Sequence, residues 1–368
     1  MRVLYFTQGD SPHDRRFLRA LAGTSHQVFV LRLEPSGVET PDGINELTWS
    51  ARQPDWSHWQ GWENGKRQLT DILDRIKPDL VHAGPVQRPA FLTALVDFHP
   101  LVTMSWGSDL LYYAHRSPWM RYATRYTLVN TDVFFGDCQT VVNAAIHYGM
   151  SSERIVLFPW GVDLNHFSPQ DERNKKDSLR KKLGWEENFV ILCNRSWSPI
   201  YGVDVLAKAF VKAVQWDERL RLLLVGDGPQ AAQIQQILAP VQHKVHYQDR
   251  LPNPELPGIY RSADLFVSPS HCDGSSISLL EAMACGCPVL VSDIPSNLEW
   301  VTPNVVGDVF RDGDVDHLKR KLLQMANDPE LSQYGHQARK LAEKRANWSK
   351  NFQKLLDGYD LAVALQRS

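Results

Sequence analysis

The stretch DLFVSPSHCDGSSISLLEAMACGCPVLVSD, residues 264–293, holds two short apolar runs with a longer run between them. The runs DLFVSPS and PVLVSD are apolar and bounded by turn residues, which is typical of buried strands. The residues between them continue into Leu279, Leu280 and Met283, which favours a helix over a loop. A strand, a helix and a second strand in this order predict two parallel strands joined by a crossover helix.

The same alternation of strand and helix runs along the chain in two series. The predicted strands of the first series are VLYF, QVFVLRL, DLVHA, LVTMSW and DVFF, and those of the second are FVILCN, LRLLLVG, KVHYQ, DLFVSPS and PVLVSD. Helical patterns lie between them, as in YGVDVLAKAFVKAV, where Val203, Leu206 and Phe210 share one face. We therefore predict two α/β domains with parallel sheets, whose ligands bind at the carboxyl ends of the strands.

A charged segment separates the two series. The run SPQDERNKKDSLRKKLG is polar and poor in apolar residues, which indicates a linker with one exposed helix. We therefore predict an N-terminal domain at 1–164, a linker at 165–188 and a C-terminal domain at 189–348. Two similar α/β halves joined by a charged hinge imply a cleft between them.

The composition excludes several classes of protein. With 43% hydrophobic and 22% charged residues and no apolar run long enough to span a bilayer, the chain is typical of a soluble globular protein. A net charge of −2 argues against a nucleic-acid partner recognised through bulk positive charge. Five cysteines, an odd number, favour a reducing compartment, and Cys285 and Cys287 lack the spacing of metal ligands. The start MRVLYFTQGD does not resemble a signal peptide, so we expect a cytoplasmic protein.

Two predicted strands end in glycine-containing turns that lead into helices. LLLVGDGPQ contains Gly226 and Gly228, and TQGDSPHDRRF has Gly9 at its bend. Turns of this kind bring the backbone close to a ligand and direct helix N–H groups at it. A tight connection between strand and helix is the structural alternative for both.

The helix that follows Gly9 has a clear predicted start. Ser11 is a candidate N-cap and Pro12 would occupy the first helical position. His13 and Asp14 would then lie in the first turn and face solvent or the cleft, where they are candidate acceptor-side residues. A purely structural role for His13 remains open.

Aromatic residues are concentrated in the N-terminal half. The run WSHWQGW contains Trp56, Trp59 and Trp62, and SPWMRYATRYTLV has Ser117 as a candidate N-cap. In the second run an aromatic face lies beside two basic residues: Trp119, Tyr122 and Tyr126 with Arg121 and Arg125. Aromatic rings stack on sugars and anchor at membrane interfaces, so acceptor binding and lipid contact are both candidates. Packing of the loop onto its domain and an ordinary half-buried helix remain the structural alternatives.

The motifs together resemble those of family 4 glycosyltransferases. FPWGVDLNHFSP resembles the interdomain signature of that family, LLLVGDGPQ its second-domain glycine turn, and the run from IYRSADLF to SNLEWV its donor-site block. The resemblance covers nearly the whole chain and is densest from Val156 to Trp348. It implies the GT-B fold, in which two Rossmann-like domains face each other across a cleft. It also implies a last helix, about residues 349–368, that packs back on the N-terminal domain.

The resemblance assigns roles to a pair of carboxylates. Asp273 and Glu281, with seven residues between them, occupy the positions of the family's acidic pair. Glu281 would accept hydrogen bonds from the donor ribose, and Asp273 would contact a hydroxyl of the transferred sugar. The small residues between them would let backbone N–H groups reach the phosphates. These donor-site residues are Gly274, Ser275, Ser276, Ile277 and Ser278. A helix capped by Asp273, with Glu281 on an exposed face, is the structural alternative.

The resemblance also implies a cation for the leaving phosphate. Arg195 in CNRSWSPIYG matches an arginine of the family, and a guanidinium can contact two phosphate oxygens at once. The acceptor hydroxyl would attack on the face that the phosphate leaves and would give its proton to a phosphate oxygen. We therefore expect no metal, no cofactor and no protein nucleophile. Asp312 and Asp314 in FRDGDVDHL do not predict a metal site. A calcium loop requires glycine at its sixth position, and His317 stands there.

Three positions depart from the family pattern. Tyr201 stands where many members have a lysine, Asp273 is one methylene shorter than the usual glutamate, and Trp106 replaces a histidine before Gly-Ser-Asp, whose Asp109 is retained. These departures leave the donor and the acceptor chemistry open. Arg250 is a candidate substitute cation.

We predict a retaining glycosyltransferase with a nucleotide-sugar donor and a glycan, lipid-linked or small-molecule acceptor. Peripheral contact with the inner face of the membrane is a further expectation. A non-catalytic sugar-nucleotide-binding protein, favoured by Tyr201, and an epimerase of related fold are the alternatives. The predicted donor-site residues elsewhere are Gly9, Gly226, Gly228 and Arg250, and the predicted acceptor-side residues are His13, Asp14, Trp106 and Asp109.

Overall fold

The computed structural model describes residues 1–35, 37, 39–49, 54–169 and 178–367. The chain divides into two compact units, one of Met1–Phe158 with Phe352–Ser368 and one of Pro159–Asn351. This division differs from the predicted boundary at residue 164. Of the predicted linker at 165–188, residues 165–169 and 178–188 belong to the second unit, and residues 170–177 lie outside the described residues.

The first unit contains a parallel sheet, which in the described residues has seven strands in the order β3-β2-β1-β4-β5-β6-β7. Its strands are β1 (Arg2–Thr7), β2 (Gln27–Arg32), β3 (Ile44–Leu47), β4 (Leu80–Gly84), β5 (Leu101–Met104), β6 (Val133–Gly136) and β7 (Ile155–Leu157). The five predicted strands are confirmed. The two edge strands β3 and β7 were missed because they are only three or four residues long and largely half-exposed, so they lack the pattern of a buried strand.

The second unit contains a parallel sheet with six strands in its described residues, in the order β10-β9-β8-β11-β12-β13. Its strands are β8 (Phe189–Cys193), β9 (Leu220–Val225), β10 (Val245–Gln248), β11 (Leu265–Ser268), β12 (Val289–Ser292) and β13 (Gly307–Phe310). The quoted stretch supplies β11 and β12, which pair in parallel with Phe266 opposite Val289. The prediction of two parallel-sheet α/β domains is therefore confirmed.

Helices connect the strands in both units. In the first unit they are α1 (Pro12–Ala22), α2 (Trp59–Ile76), α3 (Phe91–Leu95), α4 (Ser108–Leu111), α5 (Pro118–Val129) and α6 (Gln139–His147). In the second they are α7 (Ser178–Leu183), α8 (Val203–Ala213), α9 (Ala231–Leu238), α10 (Leu256–Ser262), α11 (Ile277–Ala284), α12 (Pro295–Leu298), α13 (Val315–Met325) and α14 (Leu331–Arg345), and α15 (Trp348–Leu365) is the last. Ser11 and Ser117 cap α1 and α5 through their side chains, as predicted.

Helix α7 is anchored in the second unit by a buried arginine, although the sequence predicted an exposed helix there. Arg180 is 1% exposed and donates through Nε to the Ser262 carbonyl at 2.7 Å and through Nη2 to Asp264 Oδ2 at 2.5 Å. Asp264 Oδ2 also accepts from the Val190 amide of β8 at 2.8 Å. The charge pattern was misleading because this cation pairs with a carboxylate 84 residues away in sequence.

The last helix, α15, belongs to the first unit from Phe352 onward and packs on its sheet. Tyr359 is fully buried, and its Oη lies 2.6 Å from Nδ1 of the buried His82 on β4. Gly358 lies against Phe135, whose ring would be 2.3 Å from a Cβ at that position. A small residue is therefore required where α15 meets the sheet.

Candidate active site

The candidate site of the second unit lies at the carboxyl ends of its strands. All six strands are parallel, so the segments that follow them emerge at the same edge of the sheet. Arg195 follows β8, and Asp273 follows the neighbouring strand β11 before α11 begins. The topology therefore brings together two residues that are 78 positions apart in the sequence.

Arg195 is the centre of a cluster of polar side chains. Its Nη1 donates to Oγ of Ser276 at 2.7 Å and of Ser278 at 2.8 Å, and its Nη2 donates to Asp273 Oδ2 at 2.5 Å. The side chains of Arg195 and Asp273 are 11% and 15% exposed. Four residues predicted for the donor site are thus in direct contact, and the acidic group predicted to bind sugar is paired with the cation predicted to bind phosphate.

Burial and the neighbouring charges act in opposite directions on the pKa values of this cluster. Burial opposes the charge on Arg195, but Asp273 and then Tyr201 hold the pKa of the guanidinium above its usual value. Burial raises the pKa of the Asp273 carboxyl, and the nearby Arg195 opposes that change. The guanidinium carbon also lies 4.3 Å from the centre of the Tyr201 ring, within the range of a cation–π contact. The residue that replaces the family's lysine therefore supports the arginine.

Glu281 lies inside α11 and is held by a chain of hydrogen bonds. Its Oε2 accepts from the Tyr260 hydroxyl at 2.6 Å, and the Tyr260 oxygen accepts from Asn194 Nδ2 at 2.7 Å. Burial and the carboxylate of Glu281 raise the pKa of Tyr260 well above its usual value, so the phenol remains a donor. The alternative that Glu281 lies on an exposed face is wrong, since it is 6% exposed.

Sequence reasoning missed Asn194 and Tyr260. Asn194 stands directly before Arg195, at the end of a strand, and this position was the one available signal. Tyr260 is on α10, where its burial and aromatic character suggest only a core residue. Its contact with Glu281 depends on how α10 packs beside α11.

The other small residues of the stretch have local partners. Ser275 is buried, and its Oγ accepts from Nε1 of Trp300 at 3.1 Å. Ser276 precedes the first helical residue, Ile277, and Gly274 is buried beside Asp273. An eight-residue connection, 269–276, therefore leads from β11 into α11, whose first N–H groups lack partners within the helix.

The glycine turn after β9 packs on the segment after β8. A Cβ at Gly228 would lie 2.6 Å from the Trp197 carbonyl, and the Trp197 amide donates to the Asp227 carbonyl at 3.1 Å. Gly226 has φ +120°, which other residues rarely adopt. The close approach at Gly228 is therefore to protein backbone, so the structural alternative explains this turn.

Arg250 lies apart from the cluster. It is exposed and follows β10, which is separated from β8 by β9. Two strand spacings correspond to about 10 Å. The structure thus places Arg250 at the same edge of the sheet but does not bring it to Arg195.

A histidine that was not predicted also lies at this edge. Nδ1 of His271 lies 2.5 Å from Oδ1 of Asp312, and the Asp312 amide donates to Asp293 Oδ1 at 2.9 Å. Asp314 caps α13 by accepting from the His317 amide at 2.8 Å. Asp312 and Asp314, the two aspartates of the turn FRDGDVDHL, are therefore both hydrogen-bonded to groups of the protein.

In the first unit, Asp109 is buried and bonded to backbone. Its carboxylate accepts from the amides of Val86, Trp106 and Leu110 at 3.0, 3.0 and 3.1 Å and from Oγ of Ser105 at 2.6 Å. Burial raises the pKa of this carboxyl, and the hydrogen bonds oppose the change. Asp109 therefore ties the segments after β4 and β5 together.

Asp14 is buried as well, whereas we expected it to face solvent or the cleft. Its Oδ2 accepts from the amide and the hydroxyl of Ser11 at 3.0 and 2.6 Å, and its Oδ1 accepts from the Tyr5 hydroxyl at 3.1 Å. These bonds form a capping box at the start of α1. The expected orientation is wrong because a carboxylate at the third helical position turns back to the cap.

His13 and Trp106 lie together at the carboxyl edge of the first sheet. Both are half-buried, and their ring centroids are 5.8 Å apart with 32° between the planes. A Cβ at Gly9, in the turn before α1, would have no neighbour within 4 Å. Of the four predicted acceptor-side residues, His13 and Trp106 are the two whose side chains remain partly accessible.

Most of the tryptophan-rich run packs onto the domain. Trp56 lies 5.2 Å from Trp62 and 5.7 Å from Trp49, measured between ring centroids, and Trp62 Nε1 donates to the Trp56 carbonyl at 3.1 Å. Trp59, by contrast, is 57% exposed. The packing alternative therefore explains Trp56 and Trp62.

Two family models match the chain. Residues 175–354 match "Glycosyl transferases group 1", and residues 2–140 match "Glycosyl transferase 4-like". The chain belongs to the family 4 glycosyltransferases. The resemblance drawn from the motifs is confirmed, because the matches include both units and the Arg195 cluster.

This chain is similar to curated proteins named as mannosyltransferases and glycosyltransferases. It is 31% identical over 199 residues to a Corynebacterium glutamicum protein named GDP-mannose-dependent monoacylated alpha-(1-6)-phosphatidylinositol monomannoside mannosyltransferase, covering 52% of this chain and 51% of that protein. It is 25% identical over 225 residues to the D-inositol 3-phosphate glycosyltransferase of Segniliparus rotundus, covering 59% and 49%. The chain thus spans about half the length of these curated relatives.

Solved structures with the same fold cover nearly the whole chain. HepE of Anabaena, in complex with UDP and glucose, superposes with a TM-score of 0.82 at 20% identity, over 97% of this chain and 98% of HepE. WaaG, a glycosyltransferase involved in lipopolysaccharide biosynthesis, gives a TM-score of 0.78 at 17% identity, over 98% and 99%. The glycosyltransferase therefore has the GT-B fold. Within the described residues, no helix combines the length and the apolar character that crossing a membrane requires.

Proposed function

We propose that this glycosyltransferase moves a sugar from a nucleotide-sugar donor to an acceptor hydroxyl, with retention of anomeric configuration and without a metal. The observation that carries the proposal is the cluster of Arg195, Asp273, Ser276 and Ser278 at the carboxyl edge of the second sheet. This is where open parallel sheets bind their ligands.

Arg195 is suited to bind the leaving phosphate. The guanidinium is held by side chains, which can rotate away, and it can then donate two parallel bonds to phosphate oxygens. Negative charge grows on the phosphate as the glycosidic bond breaks, so a fixed cation at this position stabilises the transition state. Because the guanidinium supplies that charge, the proposed reaction needs no metal.

The proposed step is balanced within the donor and the acceptor. The bond from the anomeric carbon to the phosphate oxygen breaks, and its electron pair stays on the nucleoside diphosphate. A bond forms from the acceptor oxygen to the anomeric carbon on the same face of the sugar. The acceptor proton passes to an oxygen of the departing phosphate.

Asp273 and Glu281 would bind the remainder of the donor. When phosphate displaces Asp273 from Arg195, the Asp273 carboxylate becomes available to accept from a sugar hydroxyl. Glu281 would accept from the ribose, and its bond to Tyr260 fixes its orientation for that purpose. Carboxylates that bind ribose hydroxyls are found in other nucleotide sites.

The relatives suggest which substrates to test first. GDP-mannose appears in the name of the Corynebacterium relative, and UDP and glucose are bound in HepE. The relatives' names also include phosphatidylinositol mannoside and inositol phosphate acceptors. We therefore propose nucleoside diphosphate hexoses as donors, and inositol-containing or glycan acceptors as the first class to test.

A non-catalytic sugar-nucleotide-binding protein is the second candidate. It is favoured by Tyr201, which adds no positive charge next to Arg195, and by Asp273, which neutralises the one cation of the cluster. Such a protein would bind the donor without transferring its sugar.

Two assays distinguish the candidates. Calorimetry with UDP, GDP and ADP and with their sugars, in the presence of EDTA, measures donor binding to the wild type and to Glu281→Gln. The matched control is Asp316→Asn, which removes a surface carboxylate paired with Lys212. Proton NMR of the reaction with the acceptors then measures transfer and the anomeric configuration of the product.

We expect one nucleotide series to bind to the wild type. Its affinity should be lost in Glu281→Gln and kept in Asp316→Asn. The product should have the same anomeric configuration as the donor. Binding without transfer or donor hydrolysis would favour the second candidate. An inverted product would overturn retention, and no binding by the folded protein would overturn both candidates.

A further inference from the structure

Helix α5 carries an exposed face of aromatic and basic side chains. Trp119, Tyr122 and Val129 are 44%, 53% and 58% exposed, and Arg121 and Arg125 are exposed on the same helix. The opposite side of the helix is buried through Ala123, Thr124, Thr127 and Leu128. At 3.6 residues per turn the two arginines lie along one margin of the exposed face and the two aromatic rings along the other, with Val129 between them.

The aromatic rings are held in place by a buried support. Trp119 and Tyr122 lie 5.7 Å apart with 31° between their planes. Each meets the edge of Phe91, which is fully buried, at 5.5 and 6.5 Å. The rings are therefore positioned before any partner binds, so binding costs little side-chain entropy.

The sequence of this helix and its flanking segments carries charge of one sign. Residues 110–131 include Arg116, Arg121, Arg125 and His115 but no aspartate or glutamate. The Arg116 guanidinium lies over the Tyr112 ring at 5.1 Å. The partner must therefore accept aromatic rings and present negative charge.

We propose that the exposed face of α5 binds the anionic headgroup layer of a membrane. Trp and Tyr prefer this layer because their rings are apolar and their N–H and O–H groups remain hydrated. Arginines beside such rings contact lipid phosphates, and each contributes to the attraction of an anionic surface. A neutral glycan would use the rings but would offer no negative charge to Arg121 and Arg125.

Sedimentation with vesicles tests this surface in the full chain. Vesicles of phosphatidylcholine alone are compared with vesicles containing one quarter phosphatidylglycerol, at low salt and at 0.5 M salt. We expect binding to the anionic vesicles only, with most of it lost at high salt because the attraction is screened. Arg121→Gln with Arg125→Gln should lower the partition coefficient about thirtyfold, at about fivefold for each arginine.

A second variant and a control separate the roles of ring and charge. Trp119→Ala with Tyr122→Ala should reduce binding even at low salt. The matched control is Trp216→Ala with Lys319→Gln, which removes a 75% exposed ring and a cation 5.8 Å from its centre in the other unit. The control should bind like the wild type, and circular dichroism should show all variants folded.

Several outcomes would overturn the proposal. One is equal binding to both kinds of vesicle, and another is an equal loss of binding in the control variant. Complete competition by soluble glycerol phosphate would indicate a site for a free anion instead. Concentration-dependent dimers that disappear in the α5 variants would identify a second copy of the chain as the occupant. Because no nucleotide is used, failure here leaves the proposed transferase function unaffected.

Discussion

The two sheets carry polar residues at equivalent places, the carboxyl ends of parallel strands, but those residues have different partners. In the second unit, Arg195 is held by the side chains of Asp273, Ser276 and Ser278. In the first unit, three of the four hydrogen bonds to Asp109 come from backbone amides. Side chains can rotate and exchange for a ligand, whereas backbone amides cannot move without disturbing the loop. We therefore expect polar residues at the same place in the topology to serve binding in the second unit and stability in the first.

The largest effect is expected for Arg195→Ala. Without the guanidinium nothing in the cluster balances charge on the leaving phosphate, so kcat/KM for transfer should fall about a thousandfold. Steady-state kinetics with the identified donor measures the change. Arg219→Ala, which removes an exposed arginine paired with Asp217, should retain full activity. Activity within threefold of wild type in Arg195→Ala would place the phosphate elsewhere.

Asp109→Ala and Asp273→Ala test the contrast directly. Loss of the Asp109 carboxylate leaves buried donors without acceptors and should lower the free energy of unfolding by about 3 kcal/mol. Loss of Asp273 should lower it by less, because Arg195 keeps its bonds to Ser276 and Ser278 and water can take the place of the carboxylate. Urea unfolding monitored by circular dichroism measures both. Similar losses for the two variants would remove the distinction between the units.

The buried His82 should make the stability of the first unit depend on pH. Burial lowers its pKa to about 3, whereas in an unfolded chain a histidine titrates near about 6.5. Between these values the unfolded chain binds more protons. The free energy of unfolding should therefore decrease as the pH falls from about 6.5 to 3, by up to about 1.4 kcal/mol per pH unit.

The difference between the wild type and His82→Asn isolates this effect. Buried Asp14 and Asp109 have raised carboxyl pKa values, so they contribute the opposite slope in both proteins. Urea unfolding from pH 4.5 to 6.5 should show a steeper rise of stability with pH in the wild type. Parallel curves would mean that His82 titrates normally and that its environment admits water.

The smallest effect is expected for Tyr201. Its ring supports Arg195 through a cation–π contact, which contributes about 1 kcal/mol. Tyr201→Ala should raise the donor KM about fivefold with a smaller change in kcat, whereas Tyr201→Phe keeps the ring and should bind donor like the wild type. A similar loss in the two variants would instead assign the role to the phenol oxygen.

Much of the fold and the donor-site cluster could be predicted from the sequence. Apolar runs identified ten of the strands, and the resemblance of two motifs to the family supplied Arg195 and the group of Asp273, Ser276 and Ser278. The edge strands β3, β7 and β13 were missed because they are short and lack a run of apolar residues: β3 and β7 are half-exposed, and β13 begins with Gly307 and Asp308. The burial of Arg180 was missed because its partner, Asp264, is distant in sequence. Charge patterns report composition along the chain and not the environment of a side chain.

The sequence by itself determined the two parallel-sheet domains, the caps of α1 and α5, and the family. These properties depend on local pattern, that is, on the period of apolar residues and the residues at helix starts. Tertiary structure decided which polar residues can reach a ligand. Asp14 and Asp109 have the same chemistry as Asp273, but they are enclosed by a capping box and by backbone amides. The physical reason is that availability depends on burial and on the identity of hydrogen-bond partners, and both are set by segments that meet only when the sheet forms.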